Sequence, residues 1–189
     1  MRDGSQTRKK LERCAMGLFV TKGIHATTIK DIANEAQVAE GTMYRHWKSK
    51  DELAQSLFIH AYETVMAQMG KLIAQETTFK EQMKLLTHMF CKQYDEDPVL
   101  FQYLLLTQHY QKQYLSNEKQ NAHYFVVHLI NQAMHRNELP KGDPHVYAAI
   151  AMGIVLQAAL SRVYGRIHRK MQEDEALLEQ AIMRALSME

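Results

Sequence analysis

TTIKDIANEAQVAEGTMYRHWKSKDEL, residues 27–53, is the stretch from which the rest of the chain can be read. Ile29, Ile32, Ala33 and Ala36 recur at three- and four-residue intervals and make one apolar stripe, the mark of a short amphipathic helix. Ala36-Gln37-Val38-Ala39 then interrupts the pattern. Beyond the break Val38, Met43 and Trp47 are placed to turn inward, leaving Glu40, Thr42, Tyr44, Arg45 and His46 as a polar outer face. Thr28-x-x-Asp31 and Ser49-x-x-Glu52 both have capping-box spacing, so two helix starts are encoded as well.

Two short helices joined by a four-residue break have the spacing of a helix-turn-helix, and a polar outer face suits a helix laid into a DNA major groove. Amides at a helix start attract anions, so the Thr27/Thr28 and Ser49/Lys50 ends are candidate phosphate grips, which position without specifying. Such units also occur in purely structural bundles, and the wider pattern decides between the two. GLFVTKG at 17–23, then TTIKDIA, then VAEGTMYRHWKSKDEL resemble, in order and spacing, the N-terminal domain of the TetR family of one-component repressors over about the first 55 residues. The resemblance implies that Thr27 and Thr28 start the phosphate-contacting second helix. It implies that Thr42, Tyr44 and His46 face the groove, with GT-x-Y its tightest part, and that Lys50 binds phosphate.

Three positions depart from that pattern. Gln37 stands where the turn residue is usually Gly, and a left-handed conformation there costs on the order of 1 kcal/mol. Ala39 replaces the usual Ser cap of the recognition helix and brings no side-chain acceptor. Glu40 places a negative charge where relatives often carry a basic residue; it favours the helix dipole, opposes phosphate contact, and is suited to accept from a cytosine amino group.

Charge is unevenly divided. Residues 1–50 hold ten Lys/Arg against five Asp/Glu, a net of +5, while residues 51–189 hold thirteen against sixteen, a net of −3. The basic end is the one that faces a polyanion, with Arg2, Arg8, Lys9, Lys10 and Arg13 clustered in or ahead of the first helix. Cys14 and Cys91 are the only cysteines and lack metal spacing, which argues against a disulfide framework and for a reducing cytoplasm, beside the nucleoid. The first thirteen residues are too polar for a signal peptide, and the expectation is that no apolar run approaches a membrane span, so the chain reads as soluble, with no membrane partner.

Gly and Pro punctuate helices throughout, and nothing reads as a strand, so the fold class is all-α with about nine helices. The first helix runs about Gln6 to Lys22 and packs behind the helix-turn-helix, giving a three-helix head over 1–49. An effector-binding and dimerisation body over 50–189 follows. Its helices start at Lys50, at the Thr78-x-x-Glu81 box, at Asp97-Pro98, near Ala122 after the polar stretch Gln111 to Gln120, at Asp143-Pro144, and near Gln172.

From Val146 to Leu160 the eighth helix is apolar almost all round, and a second surface must cover it. Ala149 and Gly153, four apart, allow close helix approach; with Leu160, and with Leu178 and Ile182 of the ninth helix, they are the candidate two-fold dimer interface. Burial inside one subunit is the competing explanation. In the resembling family the body binds a small molecule and the fourth helix carries the event to the heads. Here the candidate lining is Met83, Leu86, Phe90, Phe101, Leu104, Tyr124, Phe125, His128 and Gln157, whose apolar and aromatic character suggests a lipophilic effector. The same stripe is equally the pattern of ordinary core.

None of the ten histidines stands four residues from another, and Glu-x-x-His does not occur, which removes zincin and di-iron ligand sets and leaves no metal or cofactor expected; His88 and Cys91 make a weak pair only. No phosphate loop, GxSxG turn or nucleophile–base match is present, so catalysis has no residues to stand on. The reading is a homodimeric DNA-binding regulator, a repressor released from a palindromic operator by a small effector. Two alternatives remain: a helix-turn-helix nucleoid or division factor without an effector, and a helical ligand-binding or scaffold protein with a weak head.

Overall fold

The computed structural model describes residues 4–74, 78–107 and 122–187. In chain order the helices are α1 (Gly4–Lys22), α2 (Ile29–Glu35), α3 (Glu40–Met43), α4 (Lys50–Ile73), α5 (Phe79–Glu96), α6 (Pro98–Thr107), α7 (Ala122–His135), α8 (Pro144–Val163) and α9 (Glu175–Ser187), with a 3-10 turn at Met171–Asp174. Among the described residues there is no strand, and the all-α class holds. The stretch Gln111 to Gln120 lies outside them. The chain divides into two compact units, Met1–Glu63 with Val99–Tyr114, and Thr64–Pro98 with Leu115–Glu189. The expected 1–49 head lies within the first, which also takes in the first half of α4 and nearly all of α6.

In the first unit α1 buries Leu11, Ala15, Met16 and Phe19, spaced so that they fall on one side of the helix. Gly23, at φ 84°, then ends it, its amide donating to the Phe19 carbonyl at 3.0 Å. Ile32, Ala33, Met43, Trp47, Leu53 and Phe58 complete the core of this unit. Tyr103 of α6 is fully buried there, its ring stacked on Phe19 at 6.1 Å and its hydroxyl donating to the Ala54 carbonyl at 2.6 Å. Burial pushes the Tyr103 phenol well above its ordinary range and keeps it a donor.

The second unit has its own core, in which Met69 and Ile73 of α4 join Phe79, Met83 and Leu86 of α5, Val126 and Ile130 of α7, Ala148 and Ala151 of α8, and Ile182 and Leu186 of α9. Its helix starts are capped as their residues foretell. The Thr78 hydroxyl accepts from the Glu81 amide at 3.3 Å, and Asp143 accepts from the His145 amide at 2.8 Å with Pro144 in the first turn. The 3-10 turn leading into α9 hangs on Asp95, whose carboxylate accepts from the Met171 and Gln172 amides at 2.8 and 2.9 Å. Asp174 at its end is held by Arg162 at 2.5 Å and by Arg169.

Two helix bounds differ from the sequence expectation, which runs the eighth helix to about Ile167 and starts the ninth near Gln172. The eighth helix stops at Val163 instead of Ile167, because Gly165 takes φ 65° and the Arg166 amide folds back to the Ser161 carbonyl at 2.8 Å. Asn137, at φ 57°, closes α7 in the same way. The last helix begins at Glu175, directly after the 3-10 turn at Met171–Asp174. A third difference concerns membranes: α8, at 20 residues and a mean hydropathy of 1.6, is long and apolar enough to cross one by length and composition, contrary to the expectation that no run comes close.

Candidate nucleic-acid interface

Thr28 caps α2 with both halves of the box in place: its hydroxyl accepts from the Asp31 amide at 3.0 Å, and the Asp31 carboxylate accepts from the Thr28 amide at 2.9 Å. That backbone bond, then the hydroxyl contact, holds the Asp31 carboxyl below its usual range. Thr27 corrects the expectation of a phosphate contact. It is 0% exposed, and its hydroxyl donates to the Gly23 carbonyl at 2.8 Å and the Leu18 carbonyl at 3.3 Å. Thr27 therefore stitches the α1–α2 loop to the end of α1. Lys50 is likewise partly occupied, its ammonium donating to the Thr27 carbonyl at 2.8 Å and the His25 carbonyl at 3.1 Å. An ammonium has three donors, so one direction remains for a phosphate.

The break between α2 and α3 falls on residues 36–39 as expected. Gln37 occupies the left-handed position at φ 54°, and the Val38 amide closes the turn on the Ala33 carbonyl at 2.9 Å. Ala39 caps α3 without a side-chain bond. Regular helix covers only Glu40–Met43 and continues as turns through His46, with the His46 and Trp47 amides both donating to the Met43 carbonyl at 2.9 and 3.0 Å. Met43 and Trp47 face the core and fix the segment from beneath. The Trp47 indole N–H donates to Ser56 Oγ at 3.0 Å, and the Arg8 guanidinium lies 5.3 Å over its ring. Arg8 was grouped with the other N-terminal basic residues; the Trp47 partner carries no sequence signal, since the pair is 39 positions apart.

With its two apolar residues anchored, the segment turns its other side chains outward. Tyr44 is 59% exposed, Glu40 and Arg45 are exposed, and Thr42 and His46 are half-buried beside them. The second box is remodelled: Ser49 accepts from the Glu52 amide at 3.0 Å, but the Glu52 carboxylate reaches the Lys48 amide at 2.6 Å instead of Ser49. Tyrosine, threonine, arginine and histidine on one short convex face supply donors, acceptors and a flat ring, the inventory needed for base edges.

The residues expected to line an effector site fall in both compact units. Met83 and Leu86 lie buried in the core of the second unit, with Phe125 packed against it, while Phe90 is half-buried on α5. Phe101 and Leu104 belong to the first unit. Tyr124 is half-buried with its ring edge-on to His123 and His145. His128 and Gln157 are exposed, which corrects their placement as interior lining. On α7 the inward positions are 126, 127, 129, 130 and 133, and His128 falls outside that arc. Both thiols are also quiet. Cys91 is buried and pushed up to about 12 chiefly by that burial, and Cys14 is raised for the same reason. His88 pairs with Glu175 at 3.0 Å.

On α8, Ala149 and Gly153 are exposed together with Val146 and Ile150, whereas Leu160 is half-buried. Leu178 and Ile182 are corrected as interface residues, since both are buried within the protomer and Ile182 belongs to its core. Their neighbour Leu177 is 61% exposed instead. The inward series is 171, 174, 178, 182 and 186, so Leu178 and Ile182 do share one face, and it is turned into the protomer.

This geometry defines a helix-turn-helix head of the kind used to read duplex DNA. Residues 13–57 match the model of a family described as bacterial regulatory proteins, tetR family. Residues 13–57 are thus similar to the DNA-binding domain of that family. Curated relatives include the uncharacterized HTH-type transcriptional regulators YvkB and YerO of Bacillus subtilis. YvkB is 45% identical over 51 residues, 27% of each chain; YerO is 27% identical over 137 residues, 71% of this chain and 46% of the relative. The chain thus spans from about a quarter to about half the length of these relatives. Two solved structures extend the likeness of fold along nearly the whole chain. A Clostridium perfringens putative fatty acid metabolism regulator has a TM-score of 0.79 at 17% identity, covering 94% of this chain and 98% of its own. The regulator FadR from Bacillus subtilis in complex with stearoyl-CoA has a TM-score of 0.74 at 16% identity, covering 94% and 98%.

Proposed function

We propose that this chain is a homodimeric transcriptional repressor that grips a two-fold operator through Thr42, Tyr44, Arg45 and His46, with Thr28 and Lys50 on the flanking phosphates. The observation that carries the reading is the anchoring of Met43 and Trp47 beneath an exposed Tyr44. A segment held so firmly from below presents a fixed surface instead of a mobile loop. Two heads in adjacent major grooves stand roughly 34–36 Å apart, or a multiple of it. The pairing surface is the open side of α8, Val146, Ala149, Ile150 and Gly153, with Leu177 of α9. An apolar helix packed on one side and bare on the other is completed by its own two-fold copy.

Release is assigned to a lipophilic small molecule taken up by the helical body, and long-chain acyl-CoA is the first probe because one neighbour in fold was solved with stearoyl-CoA. A ligand dissociates the complex only by binding the released state more tightly. The test begins with DNA fragments selected by the purified protein and read by fluorescence anisotropy. Tyr44→Ala should weaken binding to the selected duplex about tenfold or more while melting temperature and dimer mass stay unchanged. Wild-type affinity in that variant would overturn the site.

A further inference from the structure

We propose that His123 and His145 form a two-ligand site for a borderline divalent transition-metal ion of the zinc, nickel or copper type. His123 lies in the first turn of α7 and His145 in the first turn of α8, both within the second unit. His123 Nε2 and His145 Nδ1 stand 3.1 Å apart, with the rings 5.4 Å between centroids and 28° from parallel. Tyr124 meets the two imidazoles edge-on at 82° and 88°, and His145 is exposed, open to an ion from solvent. The backbone under His145 is fixed in turn by the Asp143 cap and Pro144.

The contact is a hydrogen bond between ring nitrogens, which needs one to donate and the other to accept. The same two nitrogens suit a cation. With metal–nitrogen bonds of about 2.05 Å, a 3.1 Å separation subtends about 98° at the ion, between the octahedral and tetrahedral angles. Binding moves the donor ring's proton to its other nitrogen, a change of tautomer without net proton release. An all-imidazole pair selects zinc, nickel or copper over magnesium or calcium, whose preferred ligands are oxygens. Among the described residues no third His, Cys, Asp or Glu completes a cluster, so the remaining positions on the ion fall to water or an incoming donor atom. The site uses no residue of the DNA-reading face and stands or falls independently of it.

Titration calorimetry on the full, tag-free chain tests this with zinc chloride and with magnesium chloride as control. Wild type should take up a zinc equivalent that His145→Gln loses or binds at least about tenfold more weakly, because glutamine keeps a polar partner for His123 but supplies no imidazole. Magnesium should give no heat of binding. On the wild type alone, zinc should protect His123 and His145 from diethyl pyrocarbonate, as mapped by peptide mass spectrometry. That arm decides the matter should His145→Gln fail to fold. Absence of zinc binding, undiminished uptake by His145→Gln, or protection confined to other histidines would overturn the assignment.

Discussion

Thr27 and Lys50 show how one residue type serves two purposes in this head. A hydroxyl at the start of α2 and a lysine at the start of α4 both look outward on sequence grounds. The folded chain instead turns the first into the α1–α2 loop and spends two lysine donors on the carbonyls of that loop. Thr27→Val keeps the volume and removes the hydroxyl, so it should destabilise the fold by about 1–3 kcal/mol, seen as a lower melting temperature. DNA affinity should not change at fixed salt; weaker binding without loss of stability would restore Thr27 as a phosphate contact. What sequence could see at this scale was conformational. Gln37 adopts the left-handed turn expected of its position, and Ala39 leaves its helix without a side-chain cap. Hydrogen bonds between residues far apart in sequence, such as Lys50 to His25, leave no periodic trace.

Helix starts were legible because capping is local: Thr28, Thr78 and Asp143 each act within three residues of themselves. Ends were less so, since Gly165 and Asn137 stop their helices by a change of one φ that neither residue type compels. The turn before α9 left no trace in sequence because it depends on Asp95, 76 positions away from Met171. Gly153 offers a clean test of the free side of α8, as a side chain built there meets nothing within 4 Å of its own protomer. Gly153→Leu should therefore fold normally and reduce or misdirect the dimer; unchanged mass in sedimentation would discard that interface. At the junction of α8 and α9, burial alone would raise the Asp174 carboxyl, but the hydrogen bonds from Arg169 and Arg162 outweigh it and leave the group below its ordinary range. Asp31 is lowered as well. Groups depressed on folding stabilise fully above their unfolded values near pH ~4, and that stabilisation disappears as pH falls through the folded ones. Acid unfolding followed by circular dichroism should show this, and Asp174→Asn should lose stability at neutral pH while flattening the acid limb.

For the molecule as a whole, the uneven charge makes a falsifiable demand. A net of +5 over residues 1–50 against −3 beyond them favours approach to DNA by the head end alone. Log affinity for random duplex should fall linearly with log salt, by about 0.9 for each phosphate neutralised. A flat, weak response would favour a helical scaffold with an idle head, the reading to which Gln37, Ala39 and Glu40 lend some weight. The architecture was readable at this scale from apolar periodicity, and the head from its motif order. An effector site was not, because a stripe that lines a cavity and a stripe that fills a core have the same spacing, as Met83 and Leu86 show.

Val146, Ile150 and Leu177, bare on a single copy, tie thermal resistance to abundance on the pairing proposed above. A subunit that finishes its fold only by meeting its like melts earlier when diluted. Scarcity would then empty the operator twice over, by mass action on the DNA and by erosion of the protein itself.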